Sequence, residues 1–406
     1  MFMRVLRVWV GLTAAVWVVG AAAPVLAQET GATTRQGLIE QEQAQKEKAL
    51  HPYQPNKAEK FLNTFEYVLS NGGQKWHPWF TSAYSGAGFT LGAGRMFHPS
   101  PYNVIDLRGS YSISGSHRLE AEFIAPRLFH RRGWLSVLGG YREGTQAPFF
   151  GLGMGTSKDD EMNFNVRQPY GSVTFEIFPT RRVLMLGGGV EYTRWTEDSG
   201  EGSTPSVDSV YTPATLPGVD LRTTYLHTQG TIGIDWRTSP GYTRRGGFYG
   251  LTFHDYSDRD ERFGFRRVDY QVIQHFPILR EAWVISLLGG ASTTFTKNDQ
   301  EIPYFMLPYV GGGSTLRGYR SGRFRDRNRI FFKAEWRIMN NRFFDTAFFY
   351  DAGKVTATRS ELDFDGLKSD YGIGLRFHGP FSTPLRVELA RGREGLHFIF
   401  SFNPAF

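Results

Sequence analysis

From Trp76 to the end of the chain, apolar and polar residues alternate with a period of two over a long series of short segments. In the segment 328–339 one face is apolar and the other is charged: the apolar residues are Ile330, Phe332, Ala334, Trp336 and Ile338, and the charged residues are Lys333, Glu335 and Arg337. Because successive side chains of a β-strand point to opposite sides, this pattern predicts strands with one apolar and one wet face. We predict about sixteen strands, at 76–85, 88–97, 102–114, 116–128, 133–144, 163–178, 182–195, 222–238, 246–257, 263–278, 281–295, 328–339, 343–355, 369–379, 383–391 and 396–406.

The connections between these strands alternate in length. Short turns with the sequences HPSP, HRRG, PTRR, PILRE, NNR and GPFSTP alternate with long loops at 145–162, 196–221, 296–327 and 356–368. This alternation is typical of outer-membrane barrels, whose periplasmic turns are short and whose extracellular loops are long. We therefore predict an all-β fold over 76–406, a 16-stranded antiparallel transmembrane β-barrel with both termini in the periplasm. Gly86 and Gly88 leave open whether 76–97 is a hairpin or one long strand.

The residues before the barrel predict export. Residues 1–27 have a basic start, an apolar run of about a dozen residues and a small-residue exit, which indicate a signal peptide cleaved before Gln28. The alternative is a membrane anchor, but such a helix needs about 20 apolar residues. Residues 28–55 are polar and predict a flexible lead-in. Helical spacing of apolar residues predicts a short amphipathic helix over 56–72, which could pack on a protein surface, lie on the inner leaflet or plug the periplasmic mouth.

Composition agrees with an exported barrel. Aromatic residues make up 15% of the chain, although the mean hydropathy is only −0.35. Alternation explains the low mean, because polar residues facing the lumen offset apolar residues facing lipid. There are no cysteines, which suits an oxidising periplasm. The formal charge of +7 would suggest nucleic acid, but an exported chain rarely meets it. Arginines lining the lumen, or contacting the phosphates of lipopolysaccharide, are the uses we expect instead.

Four motifs in the last third of the chain make the interpretation specific. The long loop contains Leu316-Arg317-Gly318-Tyr319, the next strand contains Ala334-Glu335-Trp336-Arg337, and the following strand contains Phe349-Tyr350-Asp351-Ala352-Gly353. The last strand ends in alternating aromatic residues, which are Phe398, Phe400, Phe402 and Phe406. In this order the motifs resemble those of the BamA/TamA outer-membrane assembly superfamily, also called the bacterial surface antigen family. The terminal aromatic pattern resembles the signal that barrel-assembly machinery reads.

The resemblance implies that the loop folds into the barrel and that Arg317 meets acidic residues of the inner wall. Alternation places Glu335 and Asp351 on the lumen side, where the two carboxylates could bind one guanidinium. The motif positions Gly318, Tyr319 and Gly353 belong to the same expected loop lock. The alternative is a solvated surface arginine, like its neighbours Arg320, Arg323, Arg325, Arg327 and Arg329. If the lock is real, Arg317→Ala should impair the protein more than Arg325→Ala does.

The resemblance also implies a function. Family members usually carry periplasmic POTRA modules of roughly 75 residues, for which 28–75 has no room, so we expect the POTRA-lacking branch. Such a barrel would act in outer-membrane biogenesis or in insertion or translocation of proteins or lipids, at a weakly paired seam between its first and last strands. Its expected partners are outer-membrane lipids including lipopolysaccharide, barrel-assembly machinery during its own insertion and client proteins or lipids, and we expect a monomer.

Other functions have less support in the sequence. A passive porin-like channel or a structural surface antigen is the main alternative. A hydrolase is a further one, because His254 and Asp255 are adjacent near a strand end, as acid–histidine pairs are in barrel proteases. There is no GxSxG or HExxH motif and no clustering of the 10 histidines, so we expect no catalytic residues, no metal and no cofactor.

Overall fold

The computed structural model describes residues 35–49, 57, 60, 75–180, 183–297, 300–341, 343–379 and 382–402. The predicted signal peptide and Phe406 lie outside the described residues, and so does the predicted helix 56–72 apart from Lys57 and Lys60. The chain divides into two units, Met1–Asn56 and Lys57–Phe406. The first unit contains helix α1, Arg35–Ala49, within the segment that we predicted to be a flexible lead-in. Its sequence is polar and its described side chains are exposed.

The second unit is a single 16-stranded antiparallel sheet in which each strand pairs with its neighbour in the chain. Its strands are β1 Trp76–Pro78, β2 Thr90–Phe97, β3 Val104–Ser112, β4 His117–Arg127, β5 Gly133–Phe149, β6 Met162–Ile177, β7 Leu184–Ser199, β8 Arg222–Asp235, β9 Gly246–Asp258, β10 Phe265–Ile278, β11 Trp283–Thr296, β14 Asn328–Met339, β15 Phe344–Thr356, β16 Lys368–Phe377, β17 Leu385–Gly392 and β18 Gly395–Ser401. Two further short strands, β12 Tyr309–Val310 and β13 Phe324–Arg325, pair with each other within the loop between β11 and β14. The predicted all-β fold with sixteen strands is confirmed.

The alternation in the sequence becomes an inner and an outer face of the sheet. In β14, Glu335 is buried and Trp336 is 40% exposed, while Arg337 is again buried. Exposed apolar side chains recur on the outer face of the neighbouring strands, as at Phe348 and Tyr350 in β15. An apolar outside and a charged inside are what a barrel in lipid requires. Within the described residues, no helix has the length and apolar character needed to cross a membrane.

The first strand is much shorter than predicted. We expected a strand over 76–85, but β1 ends at Pro78, and one further bond to β2 follows, from the N–H of Trp79 to the carbonyl of Gly92 at 2.9 Å. The chain then turns back toward β2 through Gly86 and Gly88, whose φ angles of +96° and +76° other residues rarely adopt. These glycines therefore separate two strands and do not lie within one.

The two edge strands approach each other without forming a ladder. Among the described residues, no β-pairing joins β1 to β18. Instead, the rings of Phe80 and Phe402 stack with their centroids 3.8 Å apart. We call this junction the seam. It is the weakest lateral connection in the described part of the sheet, since every other neighbouring pair of strands is joined by a ladder.

The long loops pack together at one end of the sheet. Aromatic and aliphatic residues from the strand ends and from the loops form a buried cluster there: Phe149, Phe164, Trp195, Tyr225, Leu216 and Tyr304 are among its members. Tyr304 donates a hydrogen bond to Glu197 Oε1 at 2.7 Å, and burial beside this carboxylate raises the pKa of the Tyr304 phenol well above its ordinary value. The phenol therefore stays protonated and anchors the loop between β11 and β14 to β7.

Candidate functional site

The Leu-Arg-Gly-Tyr motif lies on the inner side of the curved sheet. The pairing of β12 with β13 closes a loop over residues 311–323, which we call the infolded loop. Leu316 and Arg317 are fully buried, and Tyr319 is 2% exposed. A guanidinium that is buried so completely has lost its hydration, so it is stable only if carboxylates and other acceptors replace the water.

Arg317 meets three carboxylates. Its Nε and Nη2 donate to the two oxygens of Asp351, each at 2.7 Å, which is a bidentate pair. Its Nη1 donates to Glu335 Oε2 at 3.1 Å and to Glu388 Oε1 at 2.8 Å. The guanidinium also lies over the ring of Phe349, 3.5 Å from the centroid, which adds a cation–π contact. Every N–H-bearing nitrogen of the side chain thus has an acceptor.

The contact belongs to a larger network that sequence reasoning found only in part. Arg376 Nη2 donates to Glu335 Oε2 at 2.6 Å and to Glu388 Oε1 at 2.5 Å. Arg386 Nη1 donates to Glu388 Oε2 at 3.0 Å. Three buried guanidiniums therefore meet three buried carboxylates. Alternation could have identified Glu388, Arg376 and Arg386, because charged residues of a membrane-spanning strand must face inward.

Close backbone crossings hold the loop in this position. A Cβ atom on Gly318 would lie 2.6 Å from the backbone nitrogen of Gly392, and one on Gly392 would lie 2.4 Å from the carbonyl oxygen of Gly318. Only glycine permits this approach of the loop to β17. Tyr319 follows directly and donates its hydroxyl hydrogen to the Ser369 carbonyl at 3.3 Å. Gly353 lies against β14, where a Cβ would be 2.9 Å from the Ile330 carbonyl oxygen.

The neighbouring arginines are not uniformly solvated. Arg323 is 1% exposed and pairs with Glu394, 2.8 Å away, while its Nη1 donates to Thr156 Oγ1 at 2.8 Å. Arg325 is also buried and donates to the backbone carbonyl of Phe305 at 2.7 Å. Arg327 remains exposed. The interpretation of all these residues as surface arginines is therefore wrong, and Arg325 is a poor control for Arg317.

A second segment enters the lumen from the opposite end. The turn 236–245 between β8 and β9, which we call the strap, reaches β15 and the turn after β16, at least four strands further along the sheet. Its Tyr242 donates to Asp345 Oδ2 at 2.7 Å and stacks on His378, with centroids 4.0 Å apart. Thr383 donates to the carbonyl of Gly241 at 3.0 Å. The infolded loop and the strap thus both occupy the interior.

Other predicted positions have different surroundings. Phe398 and Phe400 are exposed on the outer face of β18, and Phe402 lies at the seam. His254 pairs with Asp269, 3.1 Å from it, whereas Asp255 pairs with Arg266 and Lys297. The adjacent His254 and Asp255 therefore do not form an acid–histidine pair. No group of three or more potential metal ligands occurs in the described part of the chain.

These observations define an antiparallel membrane β-barrel whose interior holds an infolded loop through a buried arginine. The family model of the Omp85 superfamily domain matches residues 103–403, about three quarters of the chain. The protein belongs to the Omp85 superfamily, an assignment that confirms the resemblance found in the sequence.

Solved structures agree with this fold. A BamA from Haemophilus ducreyi lacking POTRA domains 1–3 superposes with a TM-score of 0.57 at 16% identity, covering 78% of this chain and 67% of that one. CdiB from Escherichia coli superposes with a TM-score of 0.53 at 10% identity, covering 80% of this chain and 59% of that one. This chain thus spans about two thirds of the first structure and about three fifths of the second. At these identities the similarity shows the fold alone. A comparison with curated proteins gives no match.

Proposed function

We propose that this outer-membrane barrel acts without enzymatic chemistry in membrane biogenesis, by inserting or translocating proteins or lipids at the seam. The observation that carries the proposal is the absence of a ladder between β1 and β18 among the described residues. The proposal includes export by a cleaved signal peptide, and an orientation with the short turns and both termini in the periplasm. Its partners would be outer-membrane lipids including lipopolysaccharide, client chains, and barrel-assembly machinery during its own insertion.

The seam is built to open at a low cost. A cleft there is lined by Trp79, Phe80 and Thr81 on one side and by Phe398 and Phe402 on the other. A single stacked aromatic pair contributes about 0.5–1.5 kcal/mol beyond its buried area. The neighbouring pair β17–β18, in contrast, has seven residues in register. Separating β1 from β18 would therefore break side-chain contacts and leave the ladders of the described strands intact.

The filled interior favours this function over passive diffusion. Sixteen strands would enclose an aqueous lumen if it were empty. Here the infolded loop and the strap enter from opposite ends, and buried bonds hold each of them. We expect small and erratic single-channel openings from the purified protein in planar bilayers. Large and steady openings would favour the porin-like alternative.

A lockable seam gives the functional test. Because the chain has no cysteine, Phe80→Cys with Phe402→Cys introduces the only two thiols, which dibromobimane or oxidation can join. The double variant would replace the protein in depleted cells, followed by outer-membrane proteomics and measurement of lipid asymmetry. We expect the locked barrel to fail and a reductant to restore a disulfide-locked one, with each single variant as a control. Full replacement by the locked barrel would refute a function at the seam.

The orientation has its own test. Ser239→Cys lies in a short turn and Ser203→Cys in an exposed long loop. A membrane-impermeant maleimide on intact cells should label the variant at 203 and should label the variant at 239 only after the outer membrane is permeabilised. The reverse pattern would contradict the proposed orientation.

A further inference from the structure

The turns at one end of the barrel carry an unusual set of charges. The seven short turns, at 98–103, 128–132, 178–183, 236–245, 279–282, 340–343 and 378–384, contain nine arginines, no lysine and one acidic residue, Glu281. The connections at the other end contain eleven basic and fifteen acidic residues. The chain's net positive charge is therefore concentrated at the short-turn end, while the long-loop end is net acidic.

The arginines follow a continuous arc. Four successive turns, 128–132, 178–183, 236–245 and 279–282, contain eight of the nine, and we call these turns the arginine arc. The turns nearest the seam, 98–103 and 378–384, contain none. This distribution separates the arc from the seam along the sheet, so the two surfaces can bind different partners.

Several guanidiniums of the arc are available. Arg131, Arg132, Arg245 and Arg280 are exposed, and none of them forms an ion pair with another described residue. On a solvated surface that binds no ligand, lysine would be as suitable as arginine. The exclusive use of arginine favours a planar, multi-oxygen anion, because the guanidinium fork matches phosphate in a bidentate way and the lysine ammonium does not.

The surroundings of the arc fit a lipid more closely than a soluble anion. A cleft between the first and third turns of the arc is lined by Arg131 and Arg132, with Trp134 and Phe178 as its aromatic part. Arg237 also lines it, but its charge is paired with Asp235 at 2.8 Å. Exposed aromatic residues occur next to the arc, among them Phe129, Trp236 and Trp283. Aromatic side chains at strand ends mark the boundary between hydrocarbon and headgroups. Arg131 and Arg132 therefore lie at the depth of lipid phosphates.

We propose that the arginine arc binds the headgroups of anionic phospholipids in the leaflet that faces the short turns. The inference rests on the proposed orientation, in which this is the periplasmic leaflet. It assigns the barrel's basic surface to phospholipid and away from lipopolysaccharide, whose phosphates would face the net acidic long-loop end. Retaining such lipids opposite the seam would anchor one wall of the barrel while the other opens.

Native mass spectrometry of the full-length protein in detergent tests this binding. The probes are phosphatidylglycerol, cardiolipin, zwitterionic phosphatidylcholine, lipid A and polyglutamate, which stands for an acidic protein partner, with inorganic phosphate as a competitor. The variant Arg131→Gln/Arg132→Gln removes two exposed charges from the cleft, and Arg131→Lys/Arg132→Lys keeps the charges without the fork. Arg259→Gln/Arg262→Gln, at the long-loop end, is the matched control with two exposed arginines. Heat-modifiable gel mobility verifies that each variant is folded.

We expect wild-type protein to prefer phosphatidylglycerol and cardiolipin over phosphatidylcholine. A basic residue near an anionic surface contributes about a fivefold gain in binding, so the glutamine pair should bind about 25-fold more weakly. The lysine pair should retain an intermediate affinity, and the control pair should match wild type. Inorganic phosphate at millimolar concentration should not displace the lipid, because it lacks the acyl chains and glycerol that the aromatic residues contact.

Several results would overturn the inference. If the glutamine variants of the cleft and of the control lose the same lipid affinity, the binding is non-specific attraction to positive charge. If the protein prefers lipid A, the arc belongs to the other leaflet. Unchanged lipid binding with lost binding of polyglutamate would make the arc a protein interface. Displacement of the lipid by phosphate would reduce the arc to a free-phosphate site. These lipid-binding measurements do not involve the seam. The arc could therefore prove not to bind lipid while locking the seam still abolishes function, or the arc could bind lipid while a locked barrel still functions, and the two experiments distinguish these cases.

Discussion

Removing the Arg317 side chain is the perturbation whose consequence the structure defines most closely. The Arg317→Ala variant would leave Asp351, Glu335 and Glu388 buried with only Arg376 and Arg386 as guanidinium partners. Breaking a buried ion pair by deleting one partner costs about 3–5 kcal/mol, mainly because a charge stays buried without compensation. The bidentate bond to Asp351 and the contact with Phe349 are lost as well. We therefore expect a loss of about 3–5 kcal/mol in the free energy of unfolding.

Unfolding in denaturant measures this loss. The barrel would be refolded into a single lipid or detergent and titrated with urea, with the gel mobility of unheated samples reporting the folded fraction. Arg327→Ala is the matched control, since Arg327 is exposed and lies ten residues away in the same connection. A surface substitution of this kind changes stability by about 0.5 kcal/mol or less. Arg317→Lys keeps the charge but loses the fork, so we expect an intermediate loss.

A double-mutant cycle separates the pair from the rest of the network. If Arg317 acts mainly through Asp351, Arg317→Ala combined with Asp351→Ala should cost clearly less than the sum of the two single losses. The reasoning is refuted if Arg317→Ala and Arg327→Ala have the same stability, or if the two single losses add with no coupling.

Three further predictions concern residues that the motif did not identify. Glu388→Gln should lower the stability by about 3–5 kcal/mol, since it leaves buried guanidiniums without a carboxylate partner. The same urea titration checks it, with the exposed Glu301→Gln as the control, and equal losses in the two variants would contradict the network. Tyr242→Ala removes the hydrogen bond that holds the strap, so it should enlarge single-channel openings in planar bilayers. Thr238→Ala, at an exposed position of the strap, should leave the openings unchanged. Unchanged openings in both variants would show that the strap does not obstruct the lumen. Hydrogen bonds from Ser199 and Ser206 lower the pKa of Asp208, so its contribution to stability is present above the ordinary value of 3.8 and is lost as the pH falls through the lowered pKa. Asp208→Asn should therefore match wild type in acid and be the less stable protein at pH 7, and a pH-independent difference in the urea midpoint would contradict this.

Much of the fold could be predicted because membrane strands obey a simple rule. A strand between lipid and water must alternate, so the period of two in 328–339 specified both the strand and the direction of Glu335. The lengths of the connections specified the antiparallel order. The first strand was predicted less well. Its early end depends on the turn through Gly86 and Gly88, which the surrounding alternation does not reveal.

The sequence predicted those residues of the candidate site that belong to recognised motifs, and no others. Arg317, Glu335 and Asp351 lie on consecutive motifs, so their contacts could be expected. Glu388 contacts Arg317 from 71 positions further along the chain, in a strand without a recognised motif. Burial of the strap depends on Tyr242 meeting Asp345, a partner in a strand that does not pair with β8 or β9. Such long-range contacts depend on the curvature of the sheet, which the period of two does not specify.

The central claim is that the infolded loop lies within the barrel against its last strands. A Cβ on Gly313 would lie 3.7 Å from the Cγ2 of Ile399 on β18, and the chain offers no competing thiol. The most direct measurement is the fluorescence of dibromobimane with Gly313→Cys/Ile399→Cys in the folded protein, compared with each single variant. We predict rapid cross-linking in the double variant, fluorescence from neither single one, and faster gel mobility after heating. Absence of cross-linking, with both single thiols freely labelled by an impermeant maleimide, would place the loop in solvent and contradict the account.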